Sequence, residues 1–311
     1  MAGTDAMLHF SSRLACAAAL VIAVTDGLTM GSGPGLPASQ WLATGGGRIA
    51  AITAATLVLL LALVIARWEP RAWVRRLGLT VCGAVAVLAA TGVAPAPAGS
   101  GVAIGILRTA LAQAIFGLTV ALATVTSPGW HEGYQRMTGP ARGHDRLLAQ
   151  LTSVTTAAAL AHILASGIAR HTGAGLLMPD LPLTIGDLIP ARWDIAMARV
   201  IAPRAATLAV ALVSLATLGH VLAHHRRRPD LRNPALLLLG LTVTQLALAA
   251  TPVWTANRVA AGAVSFVVSL AILGAAVALM LRTHRLFGRA ALSAGSSRVR
   301  ASAVTQMGVR A

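Results

Sequence analysis

The chain has 311 residues, 56% of them apolar and only 11% charged, with a mean hydropathy of +0.75. That excludes a soluble globular protein, whose surface would need far more charge, and points to a chain solvated by lipid. The formal net charge of +16 comes from 25 basic side chains, all arginine, against nine acids. These arginines fall in the short gaps between apolar runs rather than on one basic domain, so the pattern signals membrane topology and not nucleic-acid binding.

Crossing a hydrocarbon core of ~30 Å takes ~20 apolar residues in helical form. Runs of this kind lie near 10–30, 48–67, 76–94, 101–125, 148–169, 199–223, 234–252 and 259–281. Helices are the expected form, because each segment must satisfy its own backbone hydrogen bonds in lipid. The first run is too long, and lacks the flanking cleavage site, for a removable signal peptide. Cys16 and Cys82 lie inside apolar runs in no ligand spacing and read as small packing residues.

Arginine placement orients the chain. Arg67, Arg71, Arg75 and Arg76 follow the second run; Arg136, Arg142 and Arg146 follow the fourth; Arg226, Arg227, Arg228 and Arg232 follow the sixth. The tail carries Arg282, Arg285, Arg289, Arg298, Arg300 and Arg310, whereas 31–47 and 95–100 carry none. The positive-inside rule then puts both termini in the cytoplasm of a chain integral to a plasma or inner membrane. Tryptophans sort to span ends, Trp41, Trp193 and Trp254 outside and Trp68, Trp73 and Trp130 inside, as in an aromatic belt.

The two halves repeat. The first helix of each half ends in Gly-Ser-Gly (31–33) or Gly-Ala-Gly (173–175), followed by a long outer loop and an arginine at the next helix, Arg48 or Arg204. The expected fold is therefore an all-α polytopic membrane protein of two pseudo-symmetric four-helix bundles. Residues 1–130 form the first, 131–147 a cytoplasmic linker, 148–285 the second, and 286–311 a disordered basic tail.

Three segments, Trp68–Leu79 (WEPRAWVRRLGL), Leu111–Trp130 (LAQAIFGLTVALATVTSPGW) and Arg170–Pro190 (RHTGAGLLMPDLPLTIGDLIP), together with the duplicated architecture, resemble the heme A synthase family over nearly the whole chain. The resemblance implies eight helices, a heme cofactor and a place in heme A biosynthesis and cytochrome oxidase assembly. It also implies the bilayer, heme and assembly proteins as partners. That family oxidises a methyl group of heme O to a formyl group and holds heme through histidines at the outer ends of the even-numbered helices.

Here those positions hold other residues. The family's Glu-x-x-His-Arg aligns with Thr44-Gly45-Gly46-Gly47-Arg48, so Gly47 stands at the ligand place; Arg108, Pro203 and Arg258 occupy the other three. Glycine and proline carry no ligating side chain, and arginine stays protonated. The acid of the outer face is missing too, since the two glutamates, Glu69 and Glu132, lie in cytoplasmic gaps. No catalytic residue or metal ligand is assigned.

The expected function is that of a family member degenerate at its heme sites, non-catalytic or heme-handling. The alternatives are an active oxidoreductase with unusual ligation, for which His171 is the substitute ligand, and a small-solute transporter. Arg48 and Arg204 could meet heme propionates or could snorkel to the interface. Asp26, near the outer end of the first span, should pair with Arg48 or Arg108. Of the remaining histidines, His162 reads as a helix–helix hydrogen-bonding residue, His9 and His220 lie near inner span ends, and His131, His144, His224, His225 and His284 are expected to be solvated.

Overall fold

A computed structural model describes residues 2–29, 45–93, 101–127, 130, 145–172, 194–254 and 264–285. They form α1 (Ala2–Thr29), α2 (Gly45–Trp68), α3 (Ala72–Val93), α4 (Gly101–Val125), α5 (Arg146–His171), α6 (Ile195–His224), α7 (Pro229–Trp254) and α8 (Val264–Arg285). Each is long and apolar enough to cross a membrane, so the chain has the architecture of a polytopic membrane protein. The loops 30–44 and 173–193, Glu132, His131, His144, Arg258 and the tail from 286 lie outside the described residues. Asp26, Gly47 and Arg48 have described helical backbone only, so the expected partner of Asp26 also lies outside.

The helices close into two rings. In the first, α1 packs on α2 and α4, and α3 packs on α2 and α4. In the second, α6 packs on α5 and α7. Helix α8 completes that ring through a hydrogen bond between Ser269 and His162 of α5 and one from Gln245 of α7 to Ser265. The rings meet where α4 packs on α5. They also meet where a Cβ at Gly274 of α8 would lie 3.5 Å from the Phe116 ring of α4. Small residues let helices approach closely where lipid provides no hydrophobic driving force between them. Gly78 of α3 does the same against α2, where an added Cβ would meet the Ala62 carbonyl at 3.2 Å.

One buried apolar cluster runs through the first ring, with Ile22, Val58, Ile65, Val81, Ile115 and Leu122, and takes in Phe266 and Leu270 from α8. The second contains Leu148, Ile163, Val221, Leu238, Leu273 and Leu279 and takes in Ala121 from α4. Helices α4 and α8 thus belong to both cores. Large apolar side chains also point outward: Leu212 is 68% exposed, Ile49 66% and Leu237 58%. This outward apolar band is what a lipid-facing surface requires. Cys16 and Cys82 are free and pack at the margin of the first cluster.

Hydroxyls inside the spans are tied to their own helices. Ser12 donates to the Leu8 carbonyl at 2.8 Å, Thr80 to Arg76 at 2.9 Å, and Thr156 to Thr152 at 2.9 Å. Back-bonding of this kind satisfies these hydroxyl protons in hydrocarbon, whereas the buried Ser214 hydroxyl has no partner among the described residues.

The ends with short connections lie on one face. There Thr126 at the end of α4 donates to Ser12 of α1 at 3.1 Å, and Arg282 of α8 reaches the Asp230 carbonyl of α7 at 3.5 Å. Pro70 separates α2 from α3, and the turn is clamped by Arg71 Nε on Glu69 Oε1 at 2.6 Å. The same guanidinium donates to the Val125 carbonyl at 3.2 Å, placing a cation at the negative end of α4. This arginine-rich face also presents Trp68 and Trp73, 61% and 49% exposed.

Candidate functional sites

On the opposite face, the last turn of α5 sends two consecutive side chains to different helices. His171 reaches α4, where its Nε2 lies 3.0 Å from Thr109 Oγ1. Its ring rests on Gly105: a Cβ there would come within 2.7 Å of both Cε1 and Nδ1. Arg170 turns instead to α8, its guanidinium 4.4 Å from the Phe266 ring centre. Arg170 is partly buried, and one terminal nitrogen has no hydrogen-bond partner among the described residues. The adjacent pair therefore straddles the junction of the two rings.

Deeper in the second ring, His162 is fully enclosed, 3% exposed, among polar side chains from three other helices. Nδ1 lies 3.1 Å from Thr207 Oγ1 of α6; Nε2 lies 3.1 Å from Ser269 Oγ of α8 and 3.5 Å from Gln245 Nε2 of α7. Thr207 uses its one hydroxyl proton on the Pro203 carbonyl at 2.8 Å. Ser269 likewise spends its hydroxyl proton on the Ser265 carbonyl at 2.8 Å, so both hydroxyl oxygens face the ring as acceptors, and a neutral imidazole, with one N–H, donates to one of them. Pro203 lies inside the continuous α6 and has no N–H to give to the preceding turn. The polar cluster sits one turn beyond it, at Thr207.

Arg108, next to Thr109 on α4, presents a guanidinium, and Pro203 on α6 has no donor atom in its side chain. His171 is taken up by Thr109 and Gly105, and both ring nitrogens of His162 face hydrogen-bonding partners. A bis-histidine iron needs facing neutral imidazoles with a free nitrogen each. Arg108, Pro203, His171 and His162 do not present such a pair. Gly47, Arg48 and Arg258 contribute no described side chain, and Arg204 lies half-buried on α6.

A third cluster, on the arginine-rich face, was not visible in the sequence. Asp145 caps α5, its Oδ1 accepting the Leu148 N–H at 2.9 Å. Its Oδ2 takes two imidazoles from the end of α6, His220 Nε2 at 2.8 Å and His225 Nε2 at 2.6 Å. His224 stacks on His220, with ring centres 4.4 Å apart. Burial alone pushes the Asp145 carboxyl up; the hydrogen bonds from His225, the Leu148 N–H and His220, and the charge of His220, outweigh it and hold the group at about 2.

His225 is therefore not solvated as expected: its side chain is 17% exposed, because the C-cap of α6 folds it back onto the start of α5. His224 and His284 are exposed, although His284 Nε2 lies 2.8 Å from Ser153 Oγ. The partners of His162 were also missed. One signal was present: Thr152, Thr155, Ala159 and His162 recur at helical spacing and form a buried stripe on α5.

Neither models of known protein families nor curated proteins match this chain.

Proposed function

We propose that this chain is a heme A synthase-like membrane protein whose heme positions no longer ligate iron, and that it acts without catalysis in cytochrome oxidase assembly. The reading rests on the resemblance of three ordered segments and on the two-ring, eight-helix architecture that the resemblance implies. The observation that carries its second half is the engagement of His171. The one histidine at the outer end that could replace a lost ligand is packed on Gly105 and hydrogen-bonded to Thr109. The membrane is a plasma or inner membrane, with the arginine-rich face and both termini cytoplasmic by the positive-inside rule.

Pyridine hemochrome analysis and a reduced-minus-oxidised spectrum of the detergent-purified protein test this. The expected result is no stoichiometric heme. A low-spin heme at one or more per chain would overturn it in favour of an active oxidoreductase with unusual ligation. Introducing histidine at Gly47, Arg108, Pro203 and Arg258 together is expected to restore heme binding, because it returns neutral imidazoles to all four positions.

A further inference from the structure

Asp145, His220 and His225 place one carboxylate oxygen and two imidazole nitrogens within 4.8 Å of one another. Both imidazoles aim Nε2 at the same oxygen, Oδ2. The three residues are positioned by backbone as well as by side chains. The other Asp145 oxygen is fixed by the Leu148 N–H. The His225 N–H donates to the Val221 carbonyl at 2.7 Å, and its own carbonyl accepts the Arg228 N–H at 2.8 Å. A carboxylate held through its second oxygen is the arrangement by which outer hydrogen bonds orient a metal ligand.

We propose that these three side chains form a binding site for a divalent first-row metal ion of the zinc type, clamping the start of α5 to the end of α6. Two imidazoles and a carboxylate are a common ligand set for such ions, with one coordination position left for water or another donor. The side chains are 13%, 15% and 17% exposed for His220, Asp145 and His225, enclosed but reachable from the aqueous face. The C-terminal carbonyls of α6 add partial negative charge beside the site. Among the neighbouring cations, Arg226 and Arg227 are exposed and Arg228 is bound by Asp230 at 2.5 Å.

The nitrogen–oxygen spacings are those of hydrogen bonds. Metal bonds of ~2.0–2.1 Å in a tetrahedral arrangement set ligand atoms roughly 3.3 Å apart, so the two nitrogen–oxygen separations, 2.8 and 2.6 Å, need to widen by about half an ångström or slightly more. Ligation also requires both rings to carry their proton on Nδ1: a neutral ring shifts its proton from Nε2, and a charged ring releases one. The proposal is independent of the heme reading, which concerns the opposite face.

The test uses the full-length, tag-free protein in detergent, stripped with chelator. Isothermal titration with Zn²⁺ is expected to give one site per chain at micromolar affinity or tighter. Asp145→Asn, His220→Gln and His225→Gln should each weaken it at least tenfold, while His224→Gln and His284→Gln leave it unchanged. Binding that is equal in all variants, or absent in the unaltered chain at ~1 mM Zn²⁺, would overturn the site. Co²⁺ substitution in the unaltered chain gives a reading that needs no variant to fold. Intense visible bands of four- or five-coordinate Co²⁺ support the site, and only the weak spectrum of six-coordinate Co²⁺ rejects it.

Discussion

The imidazole of His171 lies on the bare backbone of Gly105, so close that a single added carbon at Gly105 would sit 2.7 Å from two ring atoms. Gly105→Ala must therefore push His171 off Thr109. The clash is with the end of a side chain that can turn away, so the cost is set mainly by the lost Thr109 hydrogen bond, about 1 kcal/mol. The expected result is a lower thermal midpoint in detergent for Gly105→Ala. His171→Ala removes the clash, so the double variant should be more stable than the two single losses add up to. Additive losses would mean that the ring does not occupy this position.

Asp145 gives a pH signature. Its carboxyl is held at about 2, below the ordinary 3.8. A lowered folded-state value stabilises the fold above the unfolded value, and that contribution fades as pH falls from about 4 to about 2. Thermal midpoints measured across this window in metal-free buffer should fall more steeply for the unaltered chain than for Asp145→Asn. At pH 7 the same substitution should cost about 1–3 kcal/mol, through a weakened helix cap and the lost acceptor for two histidines. Parallel acid profiles would contradict this.

The His162 cluster predicts graded losses. Ser269→Ala removes one of two groups facing Nε2, and hydrogen bonds between membrane helices average ~0.6 kcal/mol. His162→Ala strips Thr207, Ser269 and Gln245 of a shared partner and leaves a cavity, so its loss should be about 2–4 kcal/mol. Unfolding in mixed detergent micelles would rank the two. A Ser269 loss as large as that of His162 would mean that Nε2 has no second partner.

The clamp at the α2–α3 turn predicts an asymmetry. The Glu69 side chain is 3% exposed and that of Arg71 is 26%. Removing Arg71 strands a carboxylate that is almost wholly buried, which costs about 3 kcal/mol or more, and also frees the Val125 carbonyl. Glu69→Gln leaves a cation with better access to water and should cost less. Comparing the unfolding midpoints of Arg71→Ala and Glu69→Gln decides the order.

Apolar run length made the eight crossings legible, because lipid enforces it. It did not make helix ends legible. α7 begins at Pro229 rather than near 234, and α8 runs on to Arg285 rather than near 281, with Asp230, Arg232, Arg282 and Arg285 inside the helices. Charged turns extend a helix into the headgroup layer, where hydropathy no longer reports them. The Asp145 cluster was hidden for a different reason. His220 and His225 flank a helix end, so no single helical stripe contains both. Their shared partner is a cap 75 and 80 residues away. Periodicity says which face of a helix is buried, not which distant cap meets it.

Successive residues of a helix point roughly 100° apart, which is how Arg170 and His171 grip α8 and α4 from one turn of α5. The two prongs resist different displacements. Sliding α5 along its axis by a single residue would withdraw both from their seats at once. The tandem rings should accordingly melt in one cooperative transition rather than as two independent halves.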